Sequence, residues 1–196
     1  FLRFLFRWQH VAPGFHVAGE PGLLEAIEQL QGFETAATAW EAEILPARVA
    51  GYNPAWLDSV CLGGGVVWGR WSRHETQAEV RARRPGLTRS AVLGLGMRSE
   101  LSWLLDPVKA DETSLLPSSR DVLRYLKANG ASFFAEISTG TRRLAAEVED
   151  ALWQLAAAGW VTADAFSALR ALIGGNARRA RNPLRRQQYR RRLQEG

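Results

Sequence analysis

Residues 117–173 carry the pattern that most restricts the fold: helix, turn, short helix, turn, long helix, then a narrow hairpin. Ser118 is suited to cap the first helix, with Asp121 three residues on at the capping-box position. Val122, Leu123 and Leu126 give that helix an apolar stripe, and Gly130 suits its C-terminal stop. Phe133, Phe134 and Ile137 outline a short second helix that ends at Thr139-Gly140. Thr141 is an N-cap for a third helix, along which Leu144, Val148, Leu152 and Leu155 recur on one face of a 3.6-residue period. After Gly159, Trp160-Val161-Thr162 reads as a strand, Ala163-Asp164 as a turn, and 166–173 as a second strand or a final helix. Three helices followed by a hairpin is the winged-helix order, an elaborated helix-turn-helix. A small helical bundle with an attached hairpin is the plainer reading.

The first half repeats this logic. Leu57, Val60, Gly64 and Val66 have the mutual spacing of Leu152, Leu155, Gly159 and Val161: a helix stops at glycine and a strand begins at once. Around that core, residues 1–10 read as a short helix or strand broken by Pro13-Gly14, and 15–19 as a strand. Leu23, Leu24, Ile27 and Leu30 outline a helix, and 33–50 a second helical stretch that Pro46 kinks or restarts. Asn53-Pro54 starts a third, with Trp56, Leu57, Val60 and Cys61 inward and Gly63-Gly64-Gly65 as its stop. Residues 66–72 and 91–97 pair as a hairpin with a long polar, basic tip, and 99–105 is a short helix. The expected fold is therefore mainly α with small β-hairpins (α+β), in tandem winged-helix units. The expected divisions are 1–22 (end of a preceding element of a longer chain), 23–105 (first unit), 106–116 (linker), 117–173 (second unit) and 174–196 (Arg-rich linker or tail).

Charge says what such units touch. The net charge is +5, but it is unevenly placed. Residues 174–196 hold eight Arg against one Glu, and residues 70–98 seven Arg against two Glu, so the rest of the chain is net acidic. Arg-rich segments on an acidic body suit a phosphate polyanion or an acidic protein face, and solvated loops are the plainer reading. Candidate nucleic-acid contacts are Arg70, Arg73, Arg81, Arg83, Arg84 and Arg89 in the hairpin. Arg178, Arg179 and Arg181 in the tail join them, with Arg142 and Arg143 at the start of the third helix of 117–173. These would hold the sugar-phosphate backbone without reading sequence. Beyond Arg143 that helix presents Glu147, Asp150 and Gln154, and helix 54–62 has no basic residue, so neither is expected to read a major groove in the usual way.

No catalytic signature is legible. Only two lysines are present, Lys109 and Lys127, and neither follows a phosphate-binding loop of the G-x-x-x-x-G-K-[ST] type. Gly94-Leu95-Gly96 reads as a bulge or bend, and Gly63 to Gly65 as a helix stop. His10, His16 and His74 with Cys61 lack zinc-ligand spacing, and Cys61 reads as core. Glu147, Glu149, Asp150, Asp58 and Asp164 are nominal base-excision carboxylates, better read as solvated helix or turn charges. No apolar run approaches the roughly 18–20 residues of a membrane span, Arg3 and Arg7 interrupt a signal-like start, and a single Cys fits a reducing cytoplasm.

Several stretches together resemble one family. RWQHV (7–11), AIEQLQGFE (26–34), AWEAEILPARV (39–49), PAWLDSVCLGGGVVWGR (54–70) and GASFFAEI with EVEDALWQLAAAGWVTADAFSALRALI (130–173) are similar to the C-terminal region of Lhr, the large helicase-related ATP-dependent DNA helicases. Residues 74–116 depart from its pattern. The resemblance implies tandem winged helices in a DNA-repair helicase, following an ATP-driven core that uses ATP and magnesium; no cofactor is expected within 1–196. It also implies DNA and neighbouring domains of the same polypeptide as partners, and association with oligomerisation and, in some members, uracil-DNA glycosylase activity. No glycosylase motif matches a position here. The expected role is non-catalytic DNA binding and scaffolding, with an oligomerisation or docking module, or part of a glycosylase region, as alternatives.

Overall fold

The computed structural model describes residues 1–71, 92–105, 112 and 115–170. In the first unit, α1 (Leu2–Trp8) precedes α2 (Gly19–Gln29), which buries Leu23, Ala26 and Ile27. Strand β1 (Val17–Ala18) pairs in parallel with β3 (Val49–Ala50). The stretch expected to be helical from residue 33 instead begins with strand β2 (Glu34–Ala36), paired antiparallel with β5 (Val92–Met97). Only then does the chain turn helical, as α3 (Ala37–Ala39) running into a π-helical turn, Trp40–Ile44. A side chain explains the handover: buried Trp40 donates its indole N–H to the Leu93 carbonyl at 2.9 Å, which fixes the helix start against β5. The π-helical turn ends before Pro46, whose missing N–H and bulk oppose continuation.

Helix α4 (Pro54–Leu62) starts as expected. Asn53 Oδ1 accepts the Ala55 N–H at 3.0 Å, and Pro54 fills the first helical position. Leu57, Val60 and Cys61 are buried, and Gly64 takes φ +75° at the stop. Strand β4 (Val66–Gly69) pairs antiparallel with β5 from Val66↔Met97 to Gly69↔Gly94. The sheet order is β2-β5-β4, which leaves β4 at an edge. Helix, strand, helix, helix and hairpin together make a winged helix. A short 3₁₀ turn, Arg98–Glu100, leads into α5 (Leu101–Leu104).

The second unit has three helices, α6 (Pro117–Asn129), α7 (Phe134–Thr141) and α8 (Ala145–Ala157). They bury Val122, Leu123, Ile137, Val148, Ala151 and Leu155 around one core. The caps differ from those expected. Leu116 and Pro117, not Ser118, begin α6, and no side chain caps it. Thr141 ends α7 and donates to the Ile137 carbonyl at 2.7 Å. Glu147 folds back to accept the Leu144 N–H at 3.1 Å, so Leu144 is a helix cap and 74 % exposed rather than core. Phe133, at the start of α7, is likewise 81 % exposed.

The strand expected at 160–162 does not form, and residues 166–170 are helical. The sequence of 166–170, FSALR, is rich in helix formers, so among the described residues no return strand follows for 160–162 to pair with. That stretch lies along the β4 edge instead: the Thr162 hydroxyl donates to the Trp68 carbonyl, and Arg70 donates to the Ala157 carbonyl at 3.3 Å. Gly159 has φ +74°, and a Cβ there would meet the Arg70 carbonyl oxygen at 2.8 Å, so only glycine fits this crossing. Phe166 and Leu169 are then buried in the first unit's core, where Phe166 meets Trp68 edge to face. Arg170 locks the return, donating to Glu41 at 2.6 Å, Asp58 at 2.9 Å and the Pro54 carbonyl at 3.2 Å.

Candidate nucleic-acid interface

The hairpin that carries the basic stretch has a rigid root. Trp71 follows β4, and its N–H donates to Glu34 at 2.5 Å. Its indole lies over the sheet where side chains are missing: a Cβ at Gly94 would fall 2.0 Å from Trp71 Nε1, and one at Gly69 3.2 Å from the ring. Gly96 is occupied in the same way by Leu104. Gly94-Leu95-Gly96 is therefore no bulge or bend. The ladder runs in unbroken register through it, and the glycines make room for the side chains stacked on the sheet. Gln31 accepts the Met97 N–H at 3.1 Å on the returning strand.

Of the candidate arginines, Arg73, Arg81, Arg83, Arg84, Arg89, Arg178, Arg179 and Arg181 lie outside the described residues. Arg70 is half-buried in the junction with α8. Arg142 is exposed in the turn between α7 and α8, with left-handed φ 54° and ψ 34°. That conformation costs a non-glycine residue about 1–2 kcal/mol. Arg143 donates to Asp121 at 2.6 Å and pairs with Glu147 at 3.5 Å. The Arg143 hydrogen bond holds the Asp121 carboxyl below its ordinary range, and the same bond raises the Arg143 guanidinium. Two further arginines on α6, Arg120 and Arg124, are exposed near this pair. Sequence reasoning missed them, although their i, i+4 spacing on the polar side of an amphipathic helix was the available signal.

The helices at the place of a recognition helix, α4 and α8, look as their composition suggests. α4 exposes Ala55, Ser59 and Leu62, and helical residues 166–170 pack against it through Arg170. α8 exposes Ala145, Ala146, Glu149 and Asp150. The remaining carboxylates are engaged or exposed: Asp58 by Arg170, Asp164 by Arg98 at 3.7 Å, Glu147 by Arg143 and its own cap. Cys61 is buried, and desolvation, followed by the nearby Asp58 charge, pushes its thiol up to about 12, the opposite of an activated nucleophile. Among the described residues no group of three or more His, Cys, Asp or Glu is placed to hold a metal ion, and no helix is long and apolar enough to cross a membrane.

The family model described as large helicase-related protein, winged-helix domain, matches residues 1–84, the stretch that holds strand β2, helix α4 and strand β4. A Mycolicibacterium smegmatis protein named Lhr helicase/probable uracil glycosylase is 35% identical over 193 residues, 97% of this chain. The chain belongs to the large helicase-related (Lhr) family. An Escherichia coli relative, named Lhr helicase/uracil glycosylase, is 30% identical over 175 residues, 85% of the chain. The chain spans 12% and 10% of the lengths of these two Lhr proteins. Similarity to the first runs through both units, so the three-helix second unit is as much an Lhr element as the winged helix before it.

Proposed function

We propose that this chain is a non-catalytic DNA-binding and scaffolding segment of an Lhr-type ATP-dependent DNA helicase acting in DNA repair. The single observation that carries the reading is the rooted hairpin: β4 and β5 are pinned by Trp71 and Glu34, and the residues between them supply Arg73, Arg81, Arg83, Arg84 and Arg89. Guanidinium groups on a fixed base hold phosphates without reading bases, which suits a motor that must move along any sequence. The groove helices support this division, since α4 is uncharged on its exposed face and α8 is acidic. ATP and magnesium chemistry would belong to other parts of the longer protein, and the names of the two relatives place glycosylase activity among the activities to be assayed.

The test is fluorescence anisotropy of a labelled duplex with the purified chain across about 50–200 mM salt. Binding should weaken steeply with salt, and Arg81→Ala with Arg83→Ala and Arg84→Ala should weaken it about tenfold or more. Binding indifferent to salt, or unaffected by that triple change, would refute the reading. Uracil-containing DNA added to the same samples should release no base. A second reading, a docking module within the same polypeptide or between copies, is favoured by α1, where Phe1, Leu2, Phe4, Phe6 and Trp8 are all more than half exposed. Light scattering of the chain, with and without Phe4→Ser and Trp8→Ser, separates self-association from docking elsewhere.

A further inference from the structure

The polar face of α6 meets the α7–α8 turn through Arg143 and Asp121, and both carry arginines that the hairpin reading leaves unused. Arg120 and Arg124 are one turn apart on α6, so their Cβ atoms sit about 6 Å apart on one exposed face. Arg142 and Arg143 enter from the turn. The centre is Asp121, which accepts from Arg143 at 2.6 Å and from Arg124 at 3.2 Å, and which Arg120 is near enough to influence. Among the described residues Glu147 is the one other carboxylate paired with these arginines, and Arg143 takes it too. Three guanidinium groups, those of Arg143, Arg124 and Arg120, thus act on Asp121, and Arg143 also holds Glu147. Among the described residues the Arg120 and Arg142 guanidinium groups have no ion-pair or hydrogen-bond partner.

The backbone at Arg142 adds an independent pointer. Helices commonly end on glycine or asparagine in the left-handed region, because other side chains are strained there. An arginine at φ 54° gives the turn nothing that glycine would not, except an exposed guanidinium. The turn itself is braced, with Ser138 donating to the Arg143 carbonyl at 3.2 Å and Thr141 to Ile137.

We propose that Arg120, Arg124 and Arg142 form a second phosphate-binding strip, on the three-helix unit, for the backbone of a bound DNA. Arg143 is its positioning residue: tied to Asp121 and Glu147, it holds to α6 the turn that carries Arg142. The inference rests on the DNA-binding reading above. Guanidinium forks match phosphodiester oxygens two at a time and carry no sequence preference. Glu149 and Asp150, exposed farther along α8, repel phosphate, so the DNA crosses α6 and the turn and does not follow α8.

The experiment uses the full 196-residue chain and a fluorescein-labelled duplex, with anisotropy titrations at several salt concentrations. It compares wild type, Arg120→Ala/Arg124→Ala/Arg142→Ala, and the hairpin variant Arg81→Ala/Arg83→Ala/Arg84→Ala. The α6 variant should bind about tenfold or more weakly at low salt, and its log–log salt slope should be shallower by about 2–3, at 0.9 per lost phosphate contact. Unchanged affinity and slope in the α6 variant, with loss in the hairpin variant, overturns this inference and leaves the DNA-binding reading standing. Absence of wild-type binding overturns both. Should the triple variant be unstable, Arg120→Gln/Arg142→Gln removes only groups without an internal partner, and an unchanged slope there is equally decisive against it.

Discussion

A glycine and an arginine show how far single residues reach in this chain. Gly94 is required by what lies above it, since a methyl group would overlap the Trp71 indole and come within 2.9 Å of the Phe33 carbonyl. Gly94→Ala should therefore destabilise the chain by about 1–3 kcal/mol, read as a lower urea midpoint, by displacing Trp71 from the sheet. A wild-type midpoint would mean that the indole moves aside freely. Arg143 acts through Asp121, whose carboxyl it holds low. A depressed folded-state pKa stabilises above the unfolded value, about 3.9, and that contribution is lost as pH falls through the folded value. Wild type and Arg143→Ala should accordingly differ in urea midpoint at pH 6 and draw together as the pH falls through the depressed Asp121 value. A gap that stays constant with pH would put the Arg143 effect in packing, not in the ion pair. Neither residue's role was legible in order. The Gly-Leu-Gly run suggested a bend because its tryptophan stands 23 positions earlier in sequence, and Asp121 looked like a cap because Ser118 precedes it at the right spacing.

At the level of elements, sequence periodicity located nearly every helix and misjudged what their ends do. The Asn53-Pro54 start and the Gly64 stop were readable because caps are local chemistry. Strand β2 was not, because three residues, Glu34–Ala36, carry no period and their strand state depends on pairing with β5, nearly sixty residues away. The internal repeat held through its helices and its glycines, Gly64 at φ +75° and Gly159 at +74°. It broke one step later. Val66 enters a ladder because β5 is there to receive it, whereas Val161 joins no ladder among the described residues and packs between the two cores. The candidate interface followed the same rule: composition marked the Arg-rich hairpin and the Arg142-Arg143 pair, while the tie of that pair to α6 through Asp121 needed helix and turn to come together.

Across the whole molecule, Arg170 is the clasp that ties the last described residues to the winged helix. It bridges Glu41 and Asp58, with Tyr52 also donating to Glu41 at 2.9 Å. Burial works to lower the Arg170 pKa, but its hydrogen bonds to Asp58 and Glu41 outweigh that and raise it. Its side chain is 31% exposed, so the usual loss for a fully buried pair is discounted for solvent screening. Arg170→Ala should cost about 1–3 kcal/mol in urea unfolding and should lower the stability of both units together, read by tryptophan fluorescence and far-UV dichroism in parallel. Separate transitions for the two probes would show that the units unfold independently.

The return of residues 159–170 to the winged helix has a consequence for dividing the gene. A stop codon after α8 looks like a harmless trim of the three-helix unit. It would instead strip the plug from the other one, opening a hole beside Trp68 where Phe166 and Leu169 had been, and baring β4 to any strand that drifts past. Serial order along the chain is thus a poor guide to where this protein can be cut.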